Sequence, residues 1–167
     1  MQLRPYRPGD FAVIRTWITD ERTHALWCAN RMRYPLERED FEARFKAGDE
    51  PFVFAADDGN PAGFYCCALN KETGEALLKF VLVDPACRGR GLGRQMLALA
   101  AARAFENAAV SAVHLNVFSA NEPALRCYRR AGFAPRSVAE NAFSFQGETW
   151  DRCNLALRRD DFSSLYK

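Results

Sequence analysis

Between Glu75 and Phe118 the chain reads strand, glycine-rich loop, long helix, strand, and few folds accommodate that order. Glu75–Asp84 is an apolar run of strand length entered through the turn pair Thr73-Gly74. Leu92–Ala108 is rich in Ala and Leu and predicts a helix about 26 Å long at about 1.5 Å per residue. Val110–Phe118 is β-branched and again a strand. A helical crossover of this kind joins parallel strands, so the sheet holds at least one parallel pair. The glycines and arginines fall at the strand-to-helix junction, where anions bind.

The flanking sequence fills in the other layers. Gln2–Arg7 predicts a short strand, and Pro8-Gly9 then turns into a helix whose apolar residues Phe11, Ile14, Trp17 and Ile18 recur at helical spacing. A second helical region covers Thr23–Asn30 and then Glu37–Lys46, where Phe41 and Phe45 share a face. Pro51–Ala56 and Ala62–Leu69 predict two antiparallel strands joined through Asp57-Asp58-Gly59-Asn60. Pro123–Ala131 predicts a short helix closed by Gly132, and Phe133–Val138, Ala142–Gln146 and Thr149–Leu157 predict strands or an irregular hairpin. No repeat or linker divides the 167 residues, so the expectation is one domain, 1–167, of α/β (α+β three-layer) class.

Composition narrows the function. The 23 basic residues are nearly matched by 21 acidic ones, which argues against a nucleic-acid partner. The opening MQLRPYRPGD carries charges and no apolar run, so neither a signal peptide nor a membrane span is expected, and the expected compartment is the cytoplasm. Six cysteines occur without a C-x-x-C pair or a histidine cluster, so no metal site is expected and the thiols should be reduced. Cys66 and Cys67 should face opposite sides of a strand.

The segment Val83-Asp84-Pro85-Ala86-Cys87-Arg88-Gly89-Arg90-Gly91-Leu92-Gly93-Arg94 brings backbone amides, a helix N-terminus and three guanidinium groups together, a combination suited to a pyrophosphate. It is not a P-loop, because no Lys-Ser or Lys-Thr follows a glycine. Nor is it the dinucleotide fingerprint, because Arg94 stands where the third glycine belongs and the next strand ends without an acid. It does contain R-x-x-G-x-G, at Arg88, Gly91 and Gly93 after Val-Asp-Pro. Downstream stand Leu115-Asn116-Val117, Asn121, Tyr128 seven residues on, and Gly132-Phe133. Together the two halves resemble the acetyl-CoA signature of the GCN5-related N-acetyltransferase (GNAT) superfamily, over Glu75–Phe133.

The resemblance implies a mixed central sheet with helices on both faces and a splayed parallel strand pair. It implies acetyl-CoA as cosubstrate and direct transfer, in a ternary complex, to an amine on a small molecule or peptide. Backbone groups of Val81, Leu82 and Val83 would hold the cofactor arm, with the Leu82 amide stabilising the oxyanion. Arg88, Gly89, Arg90, Gly91, Leu92, Gly93 and Arg94 would hold the pyrophosphate. Asn121 would cap the short helix and touch the arm, and Tyr128 would protonate the departing thiolate. Many relatives carry a glutamate where this chain has Asn116, which leaves the general base unassigned, with Glu75 and Glu21 as candidates. Cys87 is a rival nucleophile without a histidine placed to activate it. His24 could pair with Asp20 across one helical turn, and Trp27–Tyr34 could wall the acceptor pocket. A CoA-binding module without catalysis is the alternative reading, and either a monomer or a homodimer is compatible with the chain.

Overall fold

The computed structural model describes residues 1–166. Its strands are β1 (Gln2–Pro5), β2 (Asp49–Ala55), β3 (Pro61–Asn70), β4 (Glu75–Val83), β5 (Ala112–Phe118), β6 (Ala134–Phe145) and β7 (Glu148–Arg158), and they form one sheet in the order β1-β2-β3-β4-β5-β7-β6. Every neighbouring pair is antiparallel except β4 and β5, the parallel pair that the crossover predicts. The helices are α1 (Phe11–Ile14), α2 (Glu21–Cys28), α3 (Arg38–Glu42), α4 (Leu92–Glu106), α5 (Glu122–Arg130) and α6 (Arg159–Leu165). No helix among the described residues is long and apolar enough to cross a membrane.

Alternation along the strands sorts the helices into two layers. Val113, Leu115 and Val117 of β5 bury themselves against Met96, Leu97 and Ala100 of α4 and Tyr128 of α5. On the opposite face Val53, Phe64 and Cys66 pack with Phe11 and Ile14 of α1, Cys28 of α2 and Phe41 of α3. Cys66 and Cys67 do face opposite layers, and burial pushes their thiols up to about 12 and about 11. All six cysteines are free.

The alternation breaks once on β4, and the break shapes the molecule. Cys66 pairs with Lys79 but Phe64 pairs with Leu82, so β4 carries one extra residue opposite β3. Phe80 sits in that bulge with φ +54°, a left-handed conformation that a bulky residue adopts only where its surroundings hold it. Before the bulge Ala76 and Leu78 point toward α4, and after it Val81 and Val83 do. The bend turns β4 away from β5. Their pairing runs from Glu75 opposite Ala112 to Leu78 opposite Leu115, although both strands continue, so the sheet opens into a fork.

Two sequence expectations need correcting, and one element is added. β1 ends at Pro5, because Tyr6 and Arg7 lead into the helical turn at Pro8–Asp10. Phe133–Val138 and Ala142–Gln146 are not separate segments. They form the continuous strand β6, whose register against β7 shifts between Pro135 and Ser137 and again between Ala139 and Phe143. The chain also ends in a helix, α6, that periodicity over so short a segment did not reveal. Arg159 anchors it, donating to the carbonyls of Phe105 (2.9 Å), Asn107 (2.7 Å) and Val110 (3.0 Å) and thereby satisfying oxygens at the C-terminal end of α4.

The N-terminal strand is pinned to α1 by Asp10, a buried carboxylate that accepts two bonds from Arg4 (2.7 and 2.8 Å) and one from the Arg7 amide (2.8 Å). Burial alone would raise its pKa, but the Arg4 and Arg7 contacts outweigh that and hold it below the usual carboxylate value. The stabilisation is therefore present above the unfolded pKa and is lost as pH falls through the lower folded one. Asp10→Ala should cost about 2–3 kcal/mol at neutral pH, below the range for a fully buried pair because Arg4 retains its bond to the Gly59 carbonyl. Denaturant titrations at neutral and strongly acid pH should show the gap between variant and parent closing in acid.

Candidate active site

The fork between β4 and β5 has a closed end at Leu78 and Leu115 and opens toward Val83 and Phe118. From Leu78 to Val83 is about 16 Å at roughly 3.3 Å per residue, room for an extended arm. Backbone polarity decides what lines it. The Asp84 amide donates to the Ala62 carbonyl on β3, and pairing continues through Gly63 with Val83 and Phe64 with Leu82. Amides alternate in direction along a strand, so that of Leu82, like that of Asp84, faces β3. The expectation that Leu82 offers a free amide is therefore corrected. Leu82 contributes a buried side chain to the α1–α3 layer, while the amides of Val81 and Val83 face the fork.

At the mouth of the fork stands the glycine-rich loop. Asp84 accepts from the Ala86 amide (2.9 Å), closing a helical turn over Pro85–Cys87, and Arg88 donates through Nε to the Val83 carbonyl (3.2 Å). Gly91 is the N-cap of α4 at φ +79°, a conformation that side chains with a Cβ strain to adopt. The first amide to find an acceptor is that of Gln95, bonded to the Gly91 carbonyl (3.1 Å). The six amides from Gly89 to Arg94 have none among the described residues, and Arg88, Arg90 and Arg94 are exposed there without ion pairs. Unpaired amides, a helix N-terminus and three cations together suit a doubly charged diphosphate. Gly93 serves packing: a Cβ there would lie 3.0 Å from Sγ of Cys127, so its absence lets α5 approach α4.

The same helix, α5, carries Tyr128. Its ring is buried in the same layer as Val81, Val83 and Val117, and its hydroxyl has no protein partner among the described residues. Burial, with the neighbouring Cys127 thiol adding to it, raises its pKa well above that of free tyrosine, so the group stays protonated at neutral pH. Asn121 caps α5 by accepting from the Ala124 amide (3.3 Å).

The other residues that the sequence brings forward lie elsewhere. Glu75 is at the start of β4, beyond the closed end of the fork, and both its oxygens accept from Arg136 (2.8 and 3.0 Å). Glu21 is exposed in the first turn of α2. Asp20 caps that helix by accepting from Thr23, and His24 instead packs in the core, with Nε2 3.4 Å from Sγ of Cys28. Cys87 lies 3.8 Å from Asp84 Oδ2, with both histidine rings engaged elsewhere. Trp27 lies near Phe80, the bulge residue, with the two rings tilted and 5.7 Å between their centres, while Arg31, Arg33 and Tyr34 are exposed.

A sheet split at its one parallel pair, with a helix N-terminus and unpaired amides at the mouth of the split, defines the class of N-acyltransferase folds. The chain belongs to the acetyltransferase (GNAT) family, whose profile matches residues 12–133. It is 35% identical over 88 residues to a streptothricin acetyltransferase of Streptomyces lavendulae, covering 53% of this chain and 46% of that one. It is 30% identical over 148 residues to a mycothiol acetyltransferase of Salinispora tropica, covering 83% and 46%. The chain thus spans less than half the length of the curated relatives it matches. In fold it superposes on the Vibrio cholerae spermidine N-acetyltransferase in complex with CoA and spermine, at TM-score 0.81 and 18% identity, covering 97% of both chains. A putative phosphinothricin N-acetyltransferase gives TM-score 0.76 at 20% identity, covering 94% and 97%.

Proposed function

We propose that this chain is an acetyl-CoA-dependent N-acetyltransferase that transfers the acetyl group directly to an amine in a ternary complex. The observation that carries the reading is the run of six unpaired amides from Gly89 to Arg94 at the mouth of a fork whose free backbone groups can bond an amide-bearing arm. In that arrangement Arg88, Arg90 and Arg94 neutralise the diphosphate, and Val81 and Val83 bond the arm as an added strand would. Asn121, fixed as a cap at the same end of the fork, contacts the arm where it leaves the loop.

The neutral amine attacks the thioester carbonyl carbon, forming the C–N bond and placing negative charge on the oxygen. The Val81 amide, facing the fork, takes over the oxyanion role in place of Leu82. Collapse of that adduct breaks the C–S bond, and the Tyr128 hydroxyl gives its proton to the departing thiolate. The amine's own proton leaves through solvent at the acceptor side, because Asn116 cannot accept one and Glu75 is held in its ion pair with Arg136. The relatives' names, acetyltransferases of amine-bearing small molecules, support an amine acceptor for this chain as well.

Two measurements test the reading. Calorimetry should show acetyl-CoA binding, and CoA release with a panel of amines should show turnover. Binding without turnover on any amine would favour the CoA-binding module instead. Intact-mass analysis after incubation with acetyl-CoA alone should show unmodified protein. A stoichiometric acetyl adduct on Cys87 would replace direct transfer by a covalent route.

A further inference from the structure

The fork can admit a second substrate from only one side. Its face toward α4 and α5 is covered by the side-chain layer that buries Val117 and Tyr128 and packs against Val81 and Val83. On the opposite face the first residue of β5 beyond the closed end is Asn116, which is exposed. Asn116 lines a cleft of about 360 Å³ on the part of that face which α1, α2 and α3 leave uncovered, and Arg136, Arg152, Asn154, His114 and Ser137 line it too.

The cleft is polar, and most of its groups are already committed. Asn154 donates to Asn116 Oδ1 (3.0 Å) and to the Leu115 carbonyl (3.2 Å), and its own Oδ1 accepts from Arg136 Nε (2.6 Å). Arg136 is neutralised by Glu75. His114 lies beside that pair, with Nε2 3.9 Å from Glu75, and burial and then the Arg136 charge lower its pKa, so it is neutral at neutral pH. Two donors remain. The Asn116 NH₂ has no partner among the described residues, and Arg152, paired across β5–β7 with Phe118 and exposed, makes no ion pair among them. The cleft therefore carries a net positive charge next to the closed end of the fork.

We infer that the acceptor of this enzyme is an amine carrying a carboxylate or a similarly compact oxyanion, which Arg152 and the Asn116 amide receive in this cleft while the amine reaches the thioester. The inference rests on the acetyltransferase reading above. An oxyanion there completes the one unpaired guanidinium in the cleft and orients the amine from a fixed point, whereas a polycation would meet Arg152 with like charge.

The test uses matched acceptors that share one amine: amino acids, their amides and their decarboxylated counterparts, followed by CoA release on the full chain. The parent should favour the carboxylate members by about 10–100-fold in kcat/KM, the span of a charged hydrogen bond. Arg152→Ala should raise KM for those members by a similar factor with kcat little changed, and leave the amides unaffected. Arg152→Lys should restore part of the loss. Added salt should raise KM for the carboxylate members only. A parent that prefers the amides or decarboxylated amines overturns the inference and leaves the acetyltransferase reading intact, as does an Arg152→Ala variant that slows all members equally. Turnover with no amine at all, beside intact acetyl-CoA binding, overturns both.

Discussion

Replacing Tyr128 by Phe should lower turnover by roughly 10²–10⁴-fold while acetyl-CoA affinity barely changes, the pattern of a group that acts only in the transition state. The substitution keeps the ring that packs with Phe133 and the α4 layer, and it removes a hydroxyl that no protein atom among the described residues holds. No buried partner is orphaned, so the fold should tolerate it. Without the phenol the thiolate leaves unprotonated, and the loss appears in kcat and kcat/KM together. Single-turnover rates, binding calorimetry and the melting temperature should be measured on the same preparation. A folded variant with near-normal turnover would mean that water protonates the thiolate and that Tyr128 is a core aromatic.

Gly91→Glu should abolish acetyl-CoA binding, weakening it by about 10²-fold or more, while the protein remains folded. At φ +79° a side chain costs roughly 1–2 kcal/mol, but a Cβ at this position meets nothing within 4 Å, so no packing is lost. What changes is the field at the α4 N-terminus. A carboxylate placed among unpaired amides satisfies them intramolecularly and repels the diphosphate they would otherwise hold. Gly91→Ala separates the two effects, since it carries the same backbone strain without the charge and should lose far less affinity. Titration calorimetry on both variants decides. Undiminished binding by the Glu variant would remove the loop from the site.

Much of this architecture was readable because its signals are local. The Ala- and Leu-rich helix between two β-branched runs required a parallel pair, and the alternation at Cys66 and Cys67 assigned them to opposite layers. The Asn121 cap and the glycine-rich turn before α4 were visible for the same reason. The features the sequence hid are those in which distant segments act on one another. Nothing in Lys79-Phe80-Val81 announces a bulge, since Phe has no preference for positive φ and adopts it because β3 and the Trp27 ring hold it there. Glu75 looked available because its partner, Arg136, lies 61 residues away.

By itself the sequence determined the strand, loop, helix, strand order around one parallel pair, the opposite faces taken by Cys66 and Cys67, and the glycine-rich turn that opens α4. Those follow from periodicity and turn chemistry, which a few consecutive residues contain in full. Only the tertiary structure decided that β4 and β5 part after Leu78 and Leu115, that Val81 and Val83 rather than Leu82 turn their amides into the gap, and that Arg152 stands near Asn116 with no ion pair among the described residues. Each depends on register between strands, and a shift of one residue reverses which groups face inward. No local pattern records that shift. The partner strand sets it.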